Sequence, residues 1–233
     1  MKSKFLIIKK MHVAVLFAVL LFLGTAFGTY FAVAKTSATP RPLHTIVIDA
    51  GHGGKDVGAI GKQTGITESY LNLQYANALS DVCKQYGYRV VMTRKDMNGL
   101  YSPFATNKKK SEMEKRKQII EKSKADLVIS VHMNSFPSEK SRGAQVFYQE
   151  GSEDGQIFAD CVQKSLNQNV EYAKSKSKSG DFFVLNCSNI PSILIECGFL
   201  SNSVEEVLLQ DKEYINKFCY YVVCGILTYF SFS

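Results

Sequence analysis

Apolar and polar positions divide the chain into regions of different character. Residues 1–11 carry Lys2, Lys4, Lys9 and Lys10 and no acid, and residues 13–34 (VAVLFAVLLFLGTAFGTYFAVA) carry no charge. A basic flank followed by about 20 apolar residues can span a bilayer as a helix, with the lysines on the cytoplasmic side. Ala32-Val33-Ala34 fits a small-residue cleavage site. The apolar run is longer than the core of a usual signal peptide, so a retained membrane anchor over residues 1–34 is expected ahead of a cleaved leader. Residues 35–44, with Pro40 and Pro42, read as a linker.

Residues 45–233 are expected to form one domain. Residues 44–49 (HTIVID) are an apolar, β-branched run that ends in glycines, which predicts a buried strand feeding a loop over residues 50–65. Thr67 is the expected N-cap of a helix whose stripe is Leu71, Leu73, Ala76 and Leu79, with Gly87 ending it. Residues 88–93 (YRVVMT) predict a second strand, and residues 94–110 are polar. Residues 111–124 predict a charged helix with Met113, Ile119 and Ile120 inward, and residues 126–132 (DLVISVH) a third strand. Residues 143–149 alternate like a strand, residues 152–169 are helical, and residues 172–180 form a polar, mobile loop. Residues 182–185 and 192–196 are expected strands, and residues 205–230 supply one or two closing helices. This alternation predicts an α/β fold: a mixed, largely parallel central sheet with helices on both faces.

Charge and cysteine content refine this picture. Of 28 basic residues, setting aside the four N-terminal lysines leaves 24 against 21 acidic ones. That excess is too small to argue for nucleic acid; it suits an anionic wall polymer and an ordinary solvated surface equally. The six cysteines sit mostly in apolar runs such as FCYYVVCGIL and LIECGFL, so they are expected as buried thiols rather than disulfides. No C-x-x-C occurs to form a cysteine-zinc knuckle.

The candidate chemistry lies where strands end. His52 follows the first strand, His132 ends the third, Glu196 ends the strand SILI, and Glu68 opens the helix after the glycine loop. Sites in open α/β sheets form beyond the carboxyl ends of strands. Two imidazoles and a carboxylate match a catalytic zinc site, which uses three protein ligands and keeps a fourth position open. His52, Glu68 and His132 are the expected ligands and Glu196 the general base. Each residue also has an ordinary reading. His52 could be a turn residue, His132 a core histidine, and Glu68 a helix-dipole partner. Glu196 resists such a reading, because a carboxylate within PSILIECGFL is costly to bury without a partner or metal.

Competing motifs fail. GHGGKD has Asp56 at the third glycine of a dinucleotide fingerprint, and Gly61-Lys62 is followed by Gln63 rather than a P-loop Ser/Thr. No G-x-S-x-G elbow accompanies His52-Gly53-Gly54. Cys197 adjoins Glu196, but strand neighbours face opposite ways.

In order, the blocks IVIDAGHGG, GITESYLNL, GYRVVMTR, ADLVISVHMNS and PSILIECGFLSN resemble the zinc-dependent N-acetylmuramoyl-L-alanine amidases of the amidase-3 family, from about Ile46 to the C-terminus. The resemblance implies hydrolysis of the amide between N-acetylmuramic acid and L-alanine in peptidoglycan. It also implies Zn²⁺ held by His52, Glu68 and His132, with Glu196 catalytic and Arg116 helping to order the site. The N-terminal segment and the stretch NGLYSPFATNKKKSEMEKR resemble the sporulation branch, whose members strip peptide so that muramic-δ-lactam can form in spore cortex. An extracytoplasmic location and an accessory protein partner accompany that reading. Two alternatives stay open on the same residues: a non-catalytic wall-binding protein and an exported zinc peptidase.

Overall fold

The computed structural model describes residues 12, 15, 17–25 and 44–232. The chain divides into two compact units, Met1–Arg41 and Pro42–Ser233. In the first unit the described residues are helical and exposed. Much of the expected anchor and nearly all of the expected linker lie outside the described residues. Among those described, no helix is long and apolar enough to cross a membrane.

The second unit is an α/β domain. Its elements are β1 (Thr45–Ala50), α1 (Glu68–Gln85), β2 (Arg89–Met92), α2 (Lys108–Ser123), β3 (Leu127–Asn134), β4 (Gln145–Tyr148), α3 (Glu153–Asn169), β5 (Lys178–Ser179), α4 (Phe183–Asn186), β6 (Ser192–Phe199), α5 (Ser203–Leu208) and α6 (Lys212–Phe232). The strand order is β2-β1-β3-β6-β4-β5. The β1–β2, β1–β3, β3–β6 and β4–β5 pairs are parallel, and β4 meets β6 antiparallel. The carboxyl ends of β1, β3 and β6 therefore share one edge.

Successive strand residues face opposite sides of a sheet. On the thicker side, Ile46 and Ile48 of β1, Leu127 and Ile129 of β3, and Ile193 and Ile195 of β6 join the core with residues of α1, α3 and α6. On the thinner side, Val47, Val128 and Leu194 pack with Ile120 of α2 and with Val184 and Leu185 of α4. Two residues further along each strand, that second side turns polar, at Asp49, Ser130 and Glu196, with His132 next after Ser130. The smaller core thus gives way to a polar pocket at the shared edge.

Several elements differ from expectation. Residues 182–185 were expected as a strand, yet Phe183–Asn186 is a short helix, with Leu185 N–H donating to Phe182 O. Both edges of β6 are already taken, by β3 and β4, so this apolar run packs as a helix over Leu194 instead of pairing. The expected mobile loop at 172–180 contains β5, paired with β4. Helix α2 starts at Lys108 rather than Ser111, because Asn107 Oδ1 accepts from Lys110 N–H at 2.9 Å. Thr67 is the N-cap residue of α1, as expected, but its side chain makes no capping hydrogen bond. The orphan N–H groups of Glu68 and Ser69 donate instead to Ala59 O and Val57 O of the glycine loop (2.8 and 3.0 Å), tying loop to helix. All six cysteines are free thiols.

Helix α6 crosses α3 at Gly225, where an added Cβ would lie 2.5 Å from Val162 Cα. Helix propensity alone would make Gly225→Ala stabilising by about 1 kcal/mol. The contact costs about 1–3 kcal/mol in overpacking, so we expect a net loss of up to about 2 kcal/mol in urea unfolding. A gain in stability would show that the two helices are not in such close contact.

Candidate active site

The site is built on the turn that leaves β1, and two buried arginines hold that turn. Arg94 donates from Nε to Ala50 O (3.0 Å) and from Nη2 to Gly51 O (2.9 Å) and Ser69 O (2.6 Å). Arg116 donates from Nη1 to Ala50 O (2.9 Å) and from Nη2 to His52 O (2.6 Å). Three successive carbonyls are thereby gathered by two guanidinium groups. Arg116 is 1% exposed and pairs with Asp49, also 1% exposed, and with Glu112 at 2.9 Å. Asp49 further accepts from Thr93 Oγ1 (2.6 Å) and Ser130 Oγ (2.7 Å). Burial alone would raise the Asp49 pKa, but Arg116 and the two hydroxyls hold it below the ordinary carboxylate value.

His52 emerges from this turn with φ of 59°, in the left-handed region that non-glycine residues rarely enter. Its Nε2 lies 3.1 Å from Glu68 Oε1. Glu68 is the first residue of α1, 4% exposed, where the helix dipole favours an anion. Its Oε2 accepts from Ala59 N–H at 2.9 Å, and Oε1 takes contacts from Asn72 Nδ2 (3.3 Å), Met133 N–H (3.3 Å) and His132 Nδ1 (2.9 Å). Burial opposes ionisation of Glu68, but hydrogen bonds from the two imidazoles outweigh it and hold the carboxyl far below its usual range.

Two glycines leave the space this convergence needs. A Cβ at Gly51 would lie 2.2 Å from His132 Nε2, so only glycine lets that imidazole lie against the turn with Nδ1 toward Glu68. A Cβ at Gly58, whose φ is +66°, would lie 2.4 Å from Glu68 Oε2.

Glu196 is the register partner of His132 across β3 and β6, and the ladder slips between His132 and Asn134. Such irregularities re-aim side chains beside active sites. Glu196 Oε2 is buried and has no hydrogen-bond partner. Burial, and secondarily the negative charge of Glu68, push the Glu196 carboxyl up to about 7 against the opposing imidazoles.

His52, Glu68 and His132 each offer one ligand atom, all within 4.8 Å of one another. Two imidazole nitrogens and a carboxylate oxygen suit a borderline divalent cation such as zinc, and the orphaned Glu196 oxygen lies beside them. The residues present therefore fit a metal. His52 and His132 border a cavity of about 250 Å³ that is also lined by Met113, Phe182, Phe183, Val184 and Leu194 and by the charged Lys109 and Asp181. A larger cavity of about 560 Å³, between α1 and α6, shares no lining residue with the cluster.

The four residues singled out from sequence thus meet at one sheet edge, with Arg116 beneath them. Asp49, Arg94, Asn72 and Asp56 were missed. Asp49 carried the same signal as Glu196, a carboxylate closing an apolar run. Asp56 Oδ1 lies 2.9 Å from His52 Nδ1, close but not aligned as a hydrogen bond.

Comparison with known proteins identifies the family. Residues 46–228 match the family model described as N-acetylmuramoyl-L-alanine amidase. The germination-specific N-acetylmuramoyl-L-alanine amidase of Bacillus subtilis (strain 168) is 34% identical over 203 residues, covering 84% of each chain. The CwlD amidase of Clostridioides difficile, solved in complex with the GerS lipoprotein, is 36% identical with a TM-score of 0.78, over 82% of this chain and 100% of that one. The catalytic domain of CwlV from Bacillus (Paenibacillus) polymyxa var. colistinus is 31% identical with a TM-score of 0.72, again over 82% and 100%. This chain belongs to the amidase-3 family of N-acetylmuramoyl-L-alanine amidases, enzymes of the peptidoglycan cell wall.

Proposed function

We propose that the chain is a zinc amidase of the cell envelope, with His52, Glu68 and His132 as metal ligands and Glu196 as the proton-transfer residue. The observation that carries this reading is the meeting of three ligand atoms within 4.8 Å, beside a buried carboxylate oxygen that has no protein partner. A zinc ion, when bound, supplies Lewis-acid polarisation of a carbonyl and makes water nucleophilic near neutrality.

The chain's own groups account for the rest. Glu196 accepts a proton from the attacking water at Oε2 and returns it to the departing nitrogen. The muramoyl carbonyl gains the water oxygen as a carboxylate, the C–N bond breaks, and L-alanine leaves with a free amine. The complete set of four acting residues favours an enzyme over a wall-binding protein on a hydrolase scaffold.

The finer assignment is cortex peptidoglycan of the spore, with action outside the cytoplasm and tethering through residues 1–34. Similarity to a germination-specific amidase supports the first part, and the apolar N-terminal run supports the second. A lipoprotein partner of the kind seen with the C. difficile relative fits the same setting.

Purified chain is expected to retain one zinc after Glu196→Gln while losing about 10²- to 10⁴-fold in turnover on sacculi. His132→Ala is expected to lose the zinc itself. Parental turnover by the Glu196 variant, or full metal content in the His132 variant, would remove the corresponding role. Mass spectrometry of digests should show intact stem peptides with free L-alanine amino termini, released faster from cortex than from vegetative sacculi. Equal rates would argue against the cortex assignment.

A further inference from the structure

The sequence His52-Gly53-Gly54-Lys55-Asp56 folds back on itself. Gly53 and Asp56 exchange backbone hydrogen bonds, N–H to O at 2.8 Å and 3.2 Å, so residue 56 returns to the side of residue 52. That return brings Asp56 Oδ1 to 2.9 Å from His52 Nδ1, the ring nitrogen that faces away from Glu68. On the far side of the carboxylate, Asp56 Oδ2 takes an ion pair from Lys109 Nζ of α2 at 3.1 Å. Oδ1 also accepts weakly from Gly58 N–H at 3.3 Å. Asp56 and Lys109 both line the catalytic cavity.

We infer that Asp56 is the positioning residue for His52, holding the Nδ1 proton so that Nε2 presents its lone pair to the metal, and that Lys109 anchors Asp56 in that role. The inference rests on the metal-site reading above. An imidazole that ligates through Nε2 must carry its proton on Nδ1, and that proton needs an acceptor. Asp56 is the side chain standing at that nitrogen, with Oδ1 2.9 Å away. Carboxylates in this position orient the ring and strengthen its donation to the metal. Two features make outside support necessary here. His52 sits in the left-handed region at φ 59°, and it is followed by two glycines at φ 133° and 60°; Arg116 holds its carbonyl, so the orientation of the ring is left to the partners of the side chain itself. Lys109 in turn comes from the first turn of α2, so a helix on the thinner face of the sheet is coupled to the first ligand.

The test measures zinc dissociation constants by chelator competition on the full chain, together with thermal unfolding of the metal-free protein. Asp56→Asn keeps the size of the side chain and an oxygen for Gly58 but removes the charge. It is expected to weaken zinc binding by about 10- to 100-fold, with metal-free unfolding unchanged. Lys109→Met, which leaves Asp56 in place but unanchored, is expected to weaken binding by a smaller factor in the same direction. Unchanged affinity in Asp56→Asn would overturn the inference. So would an affinity loss accompanied by an equal loss of metal-free stability together with unchanged affinity in Lys109→Met, because that pattern marks a purely structural loop. If the parent chain itself binds no zinc, the three-ligand reading fails first and this inference falls with it; if the parent binds and Asp56→Asn binds equally, only the positioning role is lost.

Discussion

Two buried guanidinium groups hold the turn after β1, and His52 takes its position from that turn. Arg94 and Arg116 together gather the carbonyls of Ala50, Gly51 and His52, while Asp49 balances Arg116 from below. A buried ion pair contributes little net stability by itself, yet removing one partner costs about 3–5 kcal/mol because the other charge is left stranded. In this protein the pair is part of a wider network with Thr93, Ser130 and Glu112, so each buried charge has several partners. What the network contributes is placement: it fixes a strained histidine where a loop rich in glycine would otherwise wander.

The period of the β-strand does the rest. Positions that alternate between two faces put Ile46, Ile48, Leu127 and Ile129 into the thick core and leave Asp49, Ser130, His132 and Glu196 on the thin side. Parallel pairing of β1, β3 and β6 then brings residues far apart in sequence to one edge. Glu68 arrives from the thicker side by way of a helix N-terminus whose N–H groups are tied to the same loop. One sheet edge and one helix start are enough to converge two imidazoles and two carboxylates.

Much of this was legible beforehand because it rests on local rules. Apolar runs ending in glycine marked the strands, and a charge inside such a run marked Glu196. The same rule applied to Asp49 would have exposed the network, but Asp49 closes its strand beside a glycine loop and reads there as an ordinary turn residue. Arg94 and Asp56 carry no local signal, since the site carbonyls that hold Arg94 lie 25 to 44 positions away and Asp56 reaches His52 through a fold-back turn that periodicity does not encode. Residues 182–185 misled for a different reason. An aromatic and β-branched run of four has strand character, and only the prior claim of β3 and β4 on both edges of β6 forces it to coil.

The most direct measurement is zinc-edge X-ray absorption on the purified chain. Expected is one tightly held zinc with two imidazole nitrogens and a carboxylate oxygen in its coordination shell, lost on His132→Ala. Sulfur in the shell, or a spectrum that the substitution leaves intact, would contradict it and move the metal away from the turn that Arg94 and Arg116 hold.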